Sequence, residues 1–207
     1  MDREGNLIVI EGLDSSGKGT QAKILVERLE ERGEEARYIE FPTYDRTKIG
    51  DLIEEYLDGD YEVPHEVRAL LFAADRYQMK ESFEEDMENG GVIVADRYSQ
   101  SNYTFQSGDG GWEENVEWMQ EVESRLPQPD IVLLLDIPPE KARQLMEKRE
   151  EKDVLEQDLE FQRTVAERYR KLAGENDWEV IQAVEDGDMR TRDDIAEEIW
   201  EKVEKVL

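Results

Sequence analysis

A glycine-rich segment near the start of the chain carries the residues best suited to chemistry. Gly12 is followed four residues later by Gly17-Lys18, and a short apolar run at 7–10 precedes it. Glycines let successive backbone N–H groups turn toward an anion, and a helix N-terminus adds partial positive charge. A lysine at this place reaches phosphate oxygens as a point charge. The residue types and their spacing therefore predict a phosphate-binding loop (P-loop) between a strand and a helix, rather than a tight turn with a surface lysine.

The residue after the lysine departs from the usual P-loop pattern. Most such loops place Ser or Thr there, and its hydroxyl binds the magnesium ion of the nucleotide. This chain has Gly19, with Thr20 one residue later. Either Thr20 supplies the hydroxyl, or water molecules and a carboxylate elsewhere hold the metal. Phosphate binding does not depend on the choice, because backbone N–H groups and Lys18 provide it.

The overall charge narrows the classes of partner. The 207 residues include 54 acidic and 26 basic side chains, which gives a net charge of −28, and there is no cysteine. Such a surface repels nucleic acid and anionic membranes, so neither is expected as a partner. With no signal peptide and no apolar run of roughly 18 residues, we expect a cytoplasmic protein. The charge fits either a disordered acidic chain or a folded, halophilic protein, and the regular apolar patterns favour the second.

The apolar pattern predicts an α/β fold. Apolar runs alternate with helical patterns, which is typical of a parallel sheet with helices on both faces. We expect one domain over residues 1–207, with ligands at the carboxyl ends of the strands. The predicted strands are 7–10, 36–41, 92–96, 131–136 and 178–183. The predicted helices are 19–32, 47–57, 64–89, 113–125, 139–149, 159–175 and 192–206.

Two further pairs of residues suggest a site. Asp96-Arg97 ends the third predicted strand, where an aspartate can hold magnesium and an arginine can neutralise phosphate. Phe72 and Arg76 are four residues apart on a predicted helix, so they share a face and suit a planar heterocycle. A buried phenylalanine beside a surface ion pair is the alternative. The core-facing positions predicted for that helix are Val67, Leu70, Leu71 and Ala74.

A charged segment at about 149–158 interrupts the helical pattern between two amphipathic stretches. Phosphoryl transfer needs cations around the moving group and exclusion of bulk water. Arg149 and Lys152 could supply those cations from a mobile lid. A solvated charged loop is the alternative in a chain of this composition.

Together these segments resemble the thymidylate kinase family of P-loop nucleoside-monophosphate kinases. The resemblance rests on residues 11–21, 41–42, 71–76, 96–98, Ser101, Gln106 and the segment 152–156. It implies a P-loop NTPase fold of three layers, α/β/α, with a five-stranded parallel sheet and a lid segment. It also implies transfer of the γ-phosphoryl group of ATP to dTMP with Mg²⁺, and a homodimer packed through helices.

The resemblance further implies roles for individual residues. Lys18, Asp96, Arg97 and Arg149 would be catalytic, and Asp96 and Thr20 would be the metal-binding residues. The ATP phosphates would contact Gly12, Leu13, Asp14, Ser15, Ser16, Gly17, Lys18, Gly19 and Thr20, with Arg149 and Lys152 closing over them. The dTMP site would comprise Asp14 at the sugar 3′-hydroxyl, Phe41, Phe72 stacked on thymine, Arg76 at its edge, Arg97 on the phosphate, and Ser101 and Gln106 near the base.

Two other functions compete with this interpretation. A different small-nucleotide kinase, such as an adenylate kinase or a deoxynucleoside kinase, would share the P-loop. An adenylate kinase normally shows Asp-Gly-Phe-Pro-Arg where this chain has Asp96-Arg97-Tyr98. A non-catalytic ATP-binding regulator is the alternative from another class. A GTPase is disfavoured, because no Asn-Lys-x-Asp motif follows the fourth predicted strand.

Overall fold

A computed structural model describes residues 4–108, 111–146 and 158–207, apart from the side chain of Asp45. The predicted lid at about 149–158 therefore lies outside the described residues except for Asp158. That aspartate caps the N-terminus of a helix by accepting hydrogen bonds from Glu160 N and Phe161 N. Within the described residues, no helix combines the length and apolar character needed to cross a membrane.

The centre of the fold is a parallel sheet of five strands in the order β2-β3-β1-β4-β5. This confirms the five-stranded parallel sheet predicted from the sequence. The strands are β1 Leu7–Glu11, β2 Ala36–Glu40, β3 Val92–Asp96, β4 Ile131–Asp136 and β5 Glu179–Gln182. A short antiparallel pair, β6 Val184–Glu185 and β7 Asp188–Met189, follows β5 and was not predicted.

Helices cover both faces of this sheet. They are α1 Lys18–Glu31, α2 Lys48–Leu57, α3 His65–Tyr77, α4 Lys80–Glu88, α5 Ser99–Phe105, α6 Trp112–Glu123, α7 Pro139–Met146, α8 Leu159–Glu175 and α9 Arg192–Val203. Successive side chains of a strand point to opposite faces. Along β1, Ile8 and Ile10 pack with α1, α8 and α9, whereas Leu7 and Val9 pack with α4. The result is the three-layer α/β/α arrangement.

The predicted helix 64–89 is in fact two helices, α3 and α4. The backbone N–H of Met79 donates to the carbonyl of Arg76, an i→i−3 bond that tightens and ends α3. No glycine or proline marks this break, so the sequence pattern hid it. The predicted core stripe was also wrong, since Val67 is 48% and Leu70 is 45% exposed. The buried face of α3 instead presents Ala69, Ala73, Asp75 and Arg76.

Candidate active site

The P-loop has the local geometry that its glycines allow. Gly12 has φ 146° and Gly17 has φ 99°, conformations that L side chains rarely adopt. A Cβ on Gly12 would lie 2.5 Å from the carbonyl oxygen of Leu135. β1 therefore turns sharply into the N-terminus of α1, whose first residue is Lys18.

Lys18 is buried at the start of α1, and its side chain extends back to the P-loop backbone. Its Nζ donates to the carbonyl of Leu13 at 2.9 Å and lies 3.8 Å from Oδ1 of Asp14. Burial, followed by the positive charge of Arg97, lowers the pKa of Lys18. An anion beside this amine would relieve both effects, which is the behaviour expected of a phosphate-binding lysine.

Arg97 follows β3 in a left-handed backbone conformation, with φ 68°. Its Nη2 contacts Asp14 Oδ1, and its Nη1 donates to Ser101 Oγ at 2.9 Å. The guanidinium also stacks over Phe105, 4.8 Å from the ring centroid. Burial alone would lower the pKa of Arg97, but nearby carboxylates, Asp14 foremost, raise it above its ordinary value. Arg97 is therefore a permanent, pre-oriented cation.

The carboxylate of Glu11 binds Ser101 and Tyr169, and both of these residues contact Arg97. Glu11 is fully buried at the end of β1 and accepts hydrogen bonds from Tyr98 N at 2.8 Å and Ser101 N at 3.1 Å. It also accepts from Ser101 Oγ at 2.7 Å and Tyr169 Oη at 2.8 Å. Two acceptor oxygens thus receive four donors, which satisfies a charge that would be costly if unpaired. This role of Glu11 and Tyr169 was not predicted from the sequence.

The position of Asp96 explains why residue 19 is glycine rather than the usual Ser or Thr. A Cβ on Gly19 would lie only 2.9 Å from Asp96 Oδ2, so the carboxylate fills the space of a Ser or Thr side chain. Asp96 Oδ1 is buried and has no hydrogen-bond partner among the described residues. Burial raises the pKa of Asp96, against the opposing effect of Lys18 and Arg97. Thr20 is exposed, one helical position away from Gly19.

A cavity of about 70 Å³ opens beside the P-loop. It is lined by all seven residues predicted to bind the acceptor: Asp14, Phe41, Phe72, Arg76, Arg97, Ser101 and Gln106. The other lining residues, which were not predicted to bind the acceptor, are Pro42, Tyr44, Leu57, Asn102 and Phe105. Residues that follow β1, β2 and β3 thus meet residues of α3 and α5 at the carboxyl edge of the sheet.

Several predicted residues have surroundings that the sequence did not indicate. Arg76 is only 2% exposed and is paired with Glu123, which is 1% exposed. Asp14, expected at a sugar hydroxyl, is in contact with Arg97. Four polar residues of α5 are buried: Ser99, Gln100, Asn102 and Thr104. Arg149 and Lys152 lie outside the described residues.

A P-loop on a parallel sheet, with a cavity beside it that is lined by Asp14 of the loop and by Arg97, is typical of a phosphotransferase of the nucleoside-monophosphate kinase class. Comparison with known proteins agrees with this class. The model of the thymidylate kinase family matches residues 10–194. The chain belongs to the thymidylate kinase family.

Individual relatives match over most of their length. Thymidylate kinase from Arabidopsis thaliana is 35% identical over 203 residues, covering 98% of this chain and 71% of that protein. Thymidylate kinase from Danio rerio is 34% identical over 208 residues, covering 99% and 92%. The solved structure of thymidylate kinase from Candida albicans superposes with a TM-score of 0.82 at 28% identity, covering 99% of this chain and 93% of that one.

Proposed function

We propose that this chain transfers the γ-phosphoryl group of ATP to dTMP and releases dTDP and ADP. The observation that carries the proposal is the cavity that Phe72, Arg76 and Arg97 line together with Asp14 of the P-loop, whose carboxylate lies 3.8 Å from Lys18 Nζ. An aromatic ring, a donor-only guanidinium and a phosphate clamp suit a pyrimidine nucleotide. Membership of the thymidylate kinase family selects thymidylate among such nucleotides.

The chemistry requires alignment more than proton transfer. A phosphate oxygen of dTMP forms a bond to the γ-phosphorus, and the bond to the β,γ-bridging oxygen breaks, so that ADP leaves. The acceptor oxygen is already ionised near neutral pH, so no general base is needed. Arg97 holds the acceptor phosphate, and Lys18 contacts the donor phosphates. Both cations offset the charge that spreads over the transferred group.

We propose that Asp96, rather than Thr20, is the main protein contact for Mg²⁺. The unpartnered Oδ1 and the space that Oδ2 fills at Gly19 fit a hard oxygen-ligated cation. Among the described residues, no group of three or more acidic or histidine side chains is placed to hold a metal ion, so water and ATP oxygens would complete the shell. When bound, the ion neutralises charge on the β- and γ-phosphates.

The remaining parts of the proposal concern organisation. We propose one kinase domain over residues 1–207 that acts in the cytoplasm, with Arg149 and Lys152 on a lid at about 149–158. A homodimer through helices is supported by the exposed apolar residues Leu52 on α2 and Val67 and Leu70 on α3. A net charge of −28 supports adaptation to high salt.

An acceptor panel tests the proposal. ADP release is followed with ATP and Mg²⁺ in molar KCl, using dTMP, dUMP, AMP, CMP and thymidine as acceptors. We expect the highest kcat/KM for dTMP. Preference for AMP or for thymidine would indicate an adenylate kinase or a deoxynucleoside kinase. Arg97→Ala should reduce turnover by about 100-fold or more while ATP still binds, whereas a regulator would have no turnover to lose.

A further inference from the structure

Behind the wall of the acceptor cavity, one buried carboxylate contacts two of the residues that line it. Glu123 lies at the last residue of α6 and is 1% exposed. Its Oε1 accepts a hydrogen bond from Arg76 Nε at 2.6 Å and lies 2.5 Å from Arg76 Nη2. Its Oε2 accepts from Asn102 Nδ2 at 3.4 Å. Glu123 therefore joins α6 to a residue of α3 and a residue of α5.

The chemistry of Glu123 fixes which atoms of its neighbours face it. An ionised carboxylate only accepts hydrogen bonds, so donors must turn toward it. Asn102 Nδ2 also donates to the carbonyl of Ala69 at 3.1 Å, which likewise only accepts. Glu123 and the carbonyl of Ala69 together hold the Asn102 amide in one orientation, with Nδ2 facing these two acceptors. The Oδ1 atom is thereby presented on the opposite side.

One polar atom of Asn102 and one of Arg76 are buried without a hydrogen-bond partner among the described residues. Among the described residues, Asn102 Oδ1 is a buried acceptor without a partner. Arg76 Nη2 is a buried donor that lies close to Glu123 but is not aligned for a hydrogen bond. Buried polar atoms are rarely left unpaired in proteins, so such atoms beside a cavity indicate a ligand. Arg76 and Asn102 both line the cavity and both contact Glu123, so the wall offers one donor and one acceptor.

We propose that Glu123 is a positioning residue that makes this cavity select 4-oxo pyrimidines, thymine or uracil, over the 4-amino pyrimidine cytosine. In thymine and uracil the 4-oxo group accepts and N3–H donates, which matches Arg76 as donor and Asn102 Oδ1 as acceptor. Cytosine presents the reverse pattern, a 4-amino donor beside an N3 acceptor. The inference rests on the proposed function, because it assigns the base of the acceptor nucleotide to this cavity.

The substitution Glu123→Gln tests the assignment with little change of shape. A glutamine amide both donates and accepts, so Asn102 can turn its amide and Arg76 loses its charged partner. The kcat/KM values for dTMP and dCMP are measured for each protein at saturating ATP. We expect the dTMP-to-dCMP ratio to fall by about tenfold or more, because the mismatched base no longer leaves buried groups unpaired. The KM for dTMP should rise more than kcat falls.

Glu121→Gln is the matched control, since it makes the same chemical change on α6 at an exposed position. It should keep the wild-type ratio. Glu123→Asp is a second variant, which keeps the charge but withdraws the carboxylate from Arg76 and should lower the ratio less. Circular dichroism and thermal unfolding establish that each variant is folded.

The outcomes separate the inference from the proposed function. A folded Glu123→Gln protein with the wild-type dTMP-to-dCMP ratio overturns the inference and leaves the proposed function intact. If Glu123→Gln does not fold, a wild-type ratio in Glu123→Asp overturns it and a lowered ratio supports it. A wild-type protein without dTMP turnover overturns the proposed function and this inference together.

Discussion

The guanidinium of Arg97 contacts the phenol of Tyr169, with Nη1 3.2 Å from Oη, although 72 residues separate them in the chain. The same hydroxyl donates to Glu11 Oε2 at 2.8 Å and lies 2.9 Å from Ser101 Oγ. Burial, followed by the charge of Glu11, raises the pKa of Tyr169, so the phenol remains protonated at neutral pH. The position of Arg97 therefore depends on α8 as well as on its own loop.

We expect Tyr169→Phe to lower kcat/KM for dTMP by about tenfold. The ring and its contact with Phe105 remain, but Arg97 and Glu11 each lose a buried partner, which costs about 1–3 kcal/mol. Because Arg97 is assigned to the acceptor phosphate, the affinity for thymidine should stay unchanged. Steady-state kinetics with dTMP and calorimetry with thymidine measure the two effects.

Tyr77→Phe is the control for Tyr169→Phe. The Tyr77 hydroxyl donates to the carbonyl of Val122 at 2.6 Å, and Tyr77 does not line the acceptor cavity. Its loss should lower the unfolding temperature without changing the KM for dTMP. Equal loss of thymidine and dTMP affinity in Tyr169→Phe would contradict a role through the phosphate clamp.

Replacement of Gly19 tests how the metal is held. In Gly19→Ser the new Cβ would meet Asp96 Oδ2 at 2.9 Å, so the carboxylate must move. Overpacking of this kind costs about 1–3 kcal/mol. We expect the Mg²⁺ concentration for half-maximal activity to rise about tenfold, because displaced metal contacts weaken affinity by that order. A Mg²⁺ titration at fixed ATP measures it.

Gly19→Ala separates the steric effect from the hydroxyl. It adds the same Cβ without an oxygen, so it should raise the Mg²⁺ requirement at least as much as Gly19→Ser does. If Gly19→Ser instead lowered the requirement while Gly19→Ala raised it, the hydroxyl would be the better ligand. That result would contradict Asp96 as the main protein contact.

The sequence predicted the features that depend on local pattern. The P-loop spacing, the five strands and the pair Asp96-Arg97 are each readable from a short segment, because local backbone geometry follows from period and turn chemistry, whereas the strand order was not predicted. The seven residues predicted to bind the acceptor also line one cavity. The family resemblance, rather than local pattern, identified them, since four of the seven lie on or directly after helices and not at strand ends: Phe72, Arg76, Ser101 and Gln106.

The residues that the prediction missed act over long separations. Glu123 is 47 residues from Arg76, and Glu11 is 158 residues from Tyr169. Acidic residues are so common in this chain that a buried carboxylate has no distinguishing local signal. The one indication was periodicity, since Glu123 follows Val116 and Met119 at helical spacing on the buried face of α6. An acid in that stripe needs a buried cation as partner.

The charge of −28 predicts a strong dependence of stability on salt. At about 0.1 M salt the Debye length is about 10 Å, so exposed carboxylates repel one another, and at about 1 M it is about 3 Å. We expect the unfolding temperature to rise steeply between low and molar KCl. NaCl at equal ionic strength should give the same rise if screening is the cause, and sucrose should not reproduce it. Full stability at low salt would contradict the prediction.

The exposed apolar residues of α2 and α3 predict the dimer interface. Leu52, Val67 and Leu70 are each 45–48% exposed and lie on two helices that contact each other, and grouped exposed apolar side chains mark interaction surfaces. We expect the wild-type protein to be a dimer by light scattering and Leu70→Glu to be a monomer, because a charge would be buried without a partner. Val180→Glu is the matched control, since Val180 is 39% exposed on β5 and should leave the dimer intact. A wild-type monomer, or a dimer unaffected by Leu70→Glu, would contradict this assignment of the interface.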